Sequence, residues 1–164
     1  TLRETARLVK GTRDSVVDKV KQVLDRNRQL EKDVDALKAK LASSAGTDLA
    51  GSAVEVAGLK VVASEMEGAD RKALMETADQ LKNKLGEGVV VLATVEDGKV
   101  VLVAGVTKSA TNRIKAGDLM KHLASLVDGK GGGRPDMAQG GGNDPSRLAE
   151  ALAGVPAWVE QNIG

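Results

Sequence analysis

Residues 89–107 read VVVLATVEDGKVVLVAGVT. Two β-branched runs flank Asp97-Gly98, a dipeptide that favours the tight turn of a two-residue β-hairpin because both positions tolerate positive φ. The runs are almost continuously apolar instead of alternating. Strands of that kind belong in the middle of a sheet, where both faces are covered. A central hairpin needs further strands beside it and helices above and below.

The neighbouring sequence supplies them. Val54–Val56 and Leu59–Ser64 flank Ala57-Gly58 and read as a second hairpin. Asp70 is placed to cap a helix over Arg71–Leu85 that stops at Gly86 and Gly88, with Leu74, Ala78, Leu81 and Leu85 on its apolar face. About residues 115–127 form another helix, with Leu119, Met120, Leu123 and Leu126 inward. Residues 128–142 read as a glycine-rich loop. Asp144 then caps a last helix with Pro145 at its first position, running to about Ala153. Pro156 interrupts it, leaving about one more turn over Ala157–Ile163 with Trp158. The expected fold class is α+β, a mixed sheet covered by helices and preceded by a long N-terminal helix.

That helix occupies residues 13–42, a stretch without Gly or Pro. Val16, Val20, Val23, Asn27, Leu30, Val34, Leu37 and Leu41 recur at alternating steps of four and three, the coiled-coil heptad. Val20, Asn27, Val34 and Leu41 take one seam position; Val16, Val23, Leu30 and Leu37 take the other. Branched Val opposite Leu favours two strands, and a single seam Asn fixes register. Upstream, Leu2, Ala6 and Val9 keep the phase, but Gly11 weakens the helix and Arg13 falls on the seam. So narrow a stripe suits another helix better than a globular core. The partner is a second copy of the chain or an upstream helix of a longer one. Residues 1–43 are thus expected to form a helical dimerisation segment, 44–53 a small-residue linker, and 54–164 the globular domain.

Composition narrows the function. Among 164 residues there is no Phe, Tyr or Cys, one Trp and one His. Thiolate metal sites and disulfides are excluded, as are multi-histidine sites. His122 is read as a solvated helix residue. Without Phe or Tyr there is no platform for stacking single-stranded bases, so any RNA is expected to be read by backbone and shape. No run approaches about 20 apolar residues, the length of a membrane-spanning helix. The start, TLRETARLVKG, lacks an initiator Met and an apolar leader, so an upstream portion is expected. Net charge is +1, which hides a split: residues 1–43 carry 11 Lys and Arg against 7 Asp and Glu.

Residues 128–142, DGKGGGRPDMAQGGG, contain seven of the chain's 19 glycines. Lys130 and Arg134 stand among Gly131, Gly132 and Gly133. Glycine lets a main chain approach phosphate oxygens closely, Arg offers a bidentate fork and Lys a point charge. The segment is not a Walker A loop, because Gly131 follows Gly129-Lys130 where a Ser or Thr would hold magnesium. It is not G-x-G-x-x-G, since Arg134 takes the last glycine's place. Phosphate contact and a purely structural loop both remain open from the residues. Lys108, Arg113, Lys115 and Lys121 add local positive charge against Asp118 and Asp128.

The run GKGGGRPDMAQGGG, preceded by VLATVEDGKVVLVAGVTK and an amphipathic helix, resembles the nucleic-acid-binding domain shared by alanyl-tRNA synthetases and DHH phosphoesterases. KGGGRPDMAQ is similar to the synthetase version, and RNRQLEKDVDALKAKLA to the helix that precedes the domain in bacterial members. Asp128 departs from the pattern, where another Gly is expected. The resemblance implies a non-catalytic, cytoplasmic C-terminal module that contacts the tRNA(Ala) elbow and forms a homodimer. It would support aminoacylation and editing by upstream domains. It implies no cofactor here; ATP, Mg and Zn belong to those upstream parts. The RNA contacts it implies are Lys130, Gly131, Gly132, Gly133 and Arg134, with Lys108, Arg113 and Lys115 beside them. Two alternatives are the substrate-binding domain of a DHH-type phosphoesterase and a coiled-coil module without RNA binding.

Overall fold

The computed structural model describes the backbone of residues 2–12 and 14–164 and the side chains of residues 4–12, 14–41 and 48–164. Arg13, placed on the helical seam by the sequence, lies outside them. The chain folds as two compact units, Thr1–Lys40 and Leu41–Gly164.

The first unit holds α1 (Leu2–Leu8) and most of α2 (Val16–Gly51). Helix α1 closes where the Gly11 N–H donates to the Ala6 carbonyl at 2.8 Å, with Lys10 at φ 52°. Ser15 Oγ accepts from the Thr12 N–H at 2.9 Å just before α2. Ala6 and Val16 are buried in this unit.

Helix α2 continues to Gly51, which corrects the linker expected over residues 44–53. Ala and Leu favour a helix here while Ser, Thr, Asp and above all Gly46 weaken it, so tertiary contact decides. Leu49, Ala50 and Ala53 pack on one of the globular unit's two cores and hold this end of the chain in place.

The globular unit is a six-stranded sheet in the order β1-β2-β3-β4-β6-β5. Its strands are β1 (Val54–Val56), β2 (Leu59–Glu65), β3 (Gly88–Glu96), β4 (Lys99–Val106), β5 (Gly129–Gly133) and β6 (Met137–Gly142). Only β2 and β3 pair in parallel, joined by α3 (Arg71–Leu85); the other neighbours are antiparallel. The mixed sheet and the α+β class match the sequence reading. Asp70 caps α3, its Oδ1 accepting from the Ala73 N–H at 2.8 Å. The β3–β4 turn has Asp97 at φ 49° and Gly98 at φ 74°, as its sequence requires.

Strand β3 serves two cores. Val89, Val91 and Ala93 join Leu102, Ala104 and the inner face of α4 (Ala116–Leu126). Val90 and Leu92 face the other way, against Leu74, Ala78 and Leu81 of α3. Both faces are covered, hence the unbroken apolar run. After β6 comes a 3-10 turn, Pro145–Arg147, then α5 (Leu148–Ala153) and α6 (Val155–Asn162). The break after Ala153 is as expected, but Pro156 does not form it: the proline stands in the first turn of α6, where its missing N–H costs nothing. Leu148, Ala151, Val155 and Val159 close the α4-side core.

Candidate nucleic-acid interface

The glycine-rich segment is not a loop. It is the β5–β6 hairpin, with Gly129 opposite Gly142 and Gly133 opposite Ala138. All of its glycines but Gly132 are demanded by packing. A Cβ on Gly131 would lie 2.7 Å from Met120 Cγ, and one on Gly140 2.7 Å from Met120 Sδ. Helix α4 thus rests directly on the hairpin backbone. Gly132 points to the opposite face, where a Cβ would meet nothing within 4 Å. Antiparallel pairing occupies alternate N–H groups of an edge strand.

The hairpin also separates Lys130 from Arg134. Four strand residues span about 13 Å, so the two basic groups stand toward opposite ends of β5. Lys130 lines a cleft of about 710 Å³ with Arg71 and Lys99, facing Glu96, Asp97 and Asp128. That mouth is mixed in charge and gives no net pull on a polyanion.

Arg134 lies at the other end, in the β5–β6 turn. Its N–H donates to the Met137 carbonyl at 2.9 Å, and its Nε stands 3.6 Å from Asp136 Oδ1. The Pro135 carbonyl accepts from the Ala116 N–H at 2.9 Å, and the Asp136 carbonyl from Val106 at 3.0 Å. These bonds tie the turn to the start of α4 and the end of β4. Lys115 is the residue before α4, and Lys108 follows β4 in a 3-10 turn. Neither has an ion pair among the described residues. Lys108 lines a cleft of about 780 Å³ with Asn83, Thr107, Ser109 and the carboxylates of Asp79 and Asp136, so this lining is also mixed in charge.

Lys82 shares that cleft and was not singled out by the sequence. Its side chain is only 15% exposed; the ammonium sits 3.1 Å from Asp79 Oδ1 and donates to the Asp136 carbonyl at 3.5 Å. Its stem covers Gly105, where a Cβ would meet Lys82 Cδ at 3.1 Å. The available signal was its place beside Leu81 and Leu85 on the buried stripe of α3. Exposed ion pairs hold their partners weakly, so Asp136 holds the Arg134 guanidinium only loosely.

Arg113 is structurally engaged. Its Nη2 donates to the Ala57 carbonyl at 3.0 Å, pinning the β1–β2 turn. His122, expected to be solvated, is half-buried and stacks on Trp158 with ring centroids 5.8 Å apart and planes inclined at 24°. Position 122 looks outward from α4, but α6 covers it. Among the described residues no group of three or more His, Cys, Asp or Glu is placed to hold a metal ion. No helix of the described residues is long and apolar enough to cross a membrane.

A second surface lies on α2. Val23, Leu30, Val34 and Leu37 are 47–59% exposed, and Leu41 is 69% exposed. Val20 is half-buried, whereas Val16 at the head of the series is covered within its own unit. Asn27 Nδ2 donates to Glu31 Oε1 at 3.1 Å along the same helix.

Comparison with known proteins places these features in a family. Residues 58–161 match the model of the DHHA1 domain. The alanine–tRNA ligase of Pseudomonas entomophila (strain L48) is 57% identical over 162 residues, covering 99% of this chain. That of Xanthomonas campestris pv. campestris is 55% identical over 163 residues, again covering 99%. The chain spans 18% of the length of these relatives. Among solved structures, the C-Ala domain of Aquifex aeolicus alanyl-tRNA synthetase superposes with a TM-score of 0.62 at 27% identity, over 66% of this chain and 97% of that one. A DHH-domain member of the s1p family of ribosomal proteins shares the fold at TM-score 0.52 and 14% identity, covering 86% of this chain and 35% of that one. The match runs from the turn before β2 nearly to the end of α6 and includes the glycine hairpin: the chain belongs to the DHHA1 domain family.

Proposed function

We propose that the chain is the non-catalytic C-terminal module of a cytoplasmic alanine–tRNA ligase, and that it binds the elbow of tRNA(Ala) and pairs with a second copy. The observation that carries this reading is identity above one half, across 99% of the chain, to alanine–tRNA ligases. By holding tRNA it would support aminoacylation and editing elsewhere in the parent chain. ATP, Mg and Zn would serve those parts, and no cofactor is assigned here.

The RNA surface is centred on the β4–α4 end of the sheet. Lys108, Lys115 and Arg134 supply charge there, Lys82 lies beneath them, and Gly133 ends β5 next to Arg134. Arg113 shapes the adjoining wall. Gly131 and Gly132 sit along β5, and Lys130 is peripheral in this scheme. A folded RNA presents a regular phosphate array, which suits fixed cations on a rigid turn. Gel shifts with a tRNA(Ala) transcript at rising salt test the assignment. Lys108→Ala with Arg134→Ala should weaken binding and reduce the salt slope by about 1 for each phosphate no longer neutralised. Lys130→Ala should do less. An equal effect of Lys130→Ala would move the centre to the other cleft.

Dimerisation is assigned to Val16, Val20, Val23, Asn27, Leu30, Val34, Leu37 and Leu41, with Val16 at the margin because it is already covered. A row of exposed aliphatic side chains at heptad spacing supports it. Light scattering at tens of micromolar should give twice the chain mass, and a monomer there would refute the pairing. The alternative role, as substrate-binding domain of a DHH-type phosphoesterase, has fold likeness alone in its favour.

A further inference from the structure

Trp158 is the chain's only Phe, Tyr or Trp residue. The cores are filled by Val, Leu, Ala and Met, yet this largest apolar ring is left half-buried on the surface. Tryptophan placed so serves recognition well, because it offers a rigid apolar face with little conformational entropy to lose. His122 stacks on the ring from α4. The Asn162 amide donates to the Trp158 carbonyl at 2.8 Å, steadying the last turn of α6. The ring also borders a separate cleft of about 300 Å³, walled by Asn112, Arg113, Lys115, Asp118 and Asn162. That is the lower end of the range for small-ligand sites. The Trp158 indole, stacked on one side by His122, a carboxylate and two cations thus meet in a space suited to one base.

We propose that this cleft takes a single unstacked guanine of the bound RNA. The base stacks on the Trp158 indole, and the Lys115 ammonium faces the adjoining phosphate. Asp118 selects the base. An ionised carboxylate only accepts hydrogen bonds, and guanine presents two adjacent donors, N1–H and N2–H, on one edge. The Asp118–Lys121 pair is 3.5 Å apart with both side chains at least 60% exposed, so it competes weakly. Arg113 is held on the Ala57 carbonyl and forms a fixed wall. The inference rests on the RNA-binding reading above and adds one base contact that a chain without Phe or Tyr had not been expected to make.

The 164-residue chain carries its own reporter, since Trp158 is its sole indole. Titration with GMP should quench the fluorescence saturably, and AMP should need several-fold higher concentration. Asp118→Asn should remove that preference while leaving quenching. Aromatic–base stacks are worth roughly 5- to 150-fold in affinity. Trp158→Leu should therefore weaken tRNA binding in gel shifts by about tenfold, with Trp158→Phe restoring most of it. If tRNA shifts the chain without changing Trp158 fluorescence, or if Trp158→Leu binds as tightly as the parent, the base site is refuted and the RNA reading stands. If tRNA does not bind at all, the RNA reading itself fails.

Discussion

The β3–β4 and β5–β6 hairpins belong to one sheet, share its antiparallel pairing and both contribute to the core beneath α4. They meet that helix by different means. In the first, Val91, Ala93 and Leu102 fill the space with side chains. In the second, Gly131 and Gly140 leave the space empty so that Met120 can lie on the backbone. The same helix is therefore held at one sheet position by added volume and at the next by its absence. A glycine here is a core residue as much as a leucine is.

Three substitutions grade that contrast. Leu102→Ala removes side-chain volume from a fully buried site and is expected to cost about 2–5 kcal/mol in urea unfolding; a change below about 1 kcal/mol would mean that the core closes over the gap. Gly131→Ala adds one carbon where Met120 Cγ would stand 2.7 Å away and the Gly140 Cα 2.9 Å away. Overpacking of this kind costs about 1–3 kcal/mol. Shortening Met120 in the same chain should recover only part of it, because the Gly140 backbone cannot retreat. Gly132→Ala faces open space and should change stability by no more than about 0.5 kcal/mol. If Gly131→Ala and Gly132→Ala prove equally costly, intrinsic strand propensity would explain the glycines better than contact with α4.

The same contrast explains what the sequence could reveal. Asp97-Gly98 between β-branched runs fixed the first hairpin, and Leu74, Ala78, Leu81 and Leu85 fixed α3, because side chains carry the periodicity. Residues 129–133 have a side chain at only one position, so there is no alternation to read, and glycine abundance suggests a loop. Residues 44–51 mix strong helix formers with Gly46 and Gly51 and so give opposed signals, and only the docking of Leu49 and Ala50 reveals their state. The candidate site suffered in the same way. Reading 128–142 as a loop lets Lys130 and Arg134 converge, whereas a strand holds them apart. Lys82 and Trp158 became visible only once Gly105 and α4 were seen beneath and beside them.

The glycines of β5 and β6 also bear on how the molecule opens. Each has more freedom to regain on unfolding than any other residue, roughly 0.5–1 kcal/mol beyond alanine. β5 is also a sheet edge, bonded to β6 alone. Its order depends on α4 lying across it, and α4 loses that part of its seat when β5 lifts. Strand and helix should therefore exchange their amide hydrogens as one cooperative unit. That unit would open well before β3 and β4, and it carries Arg134 and Lys115 with it.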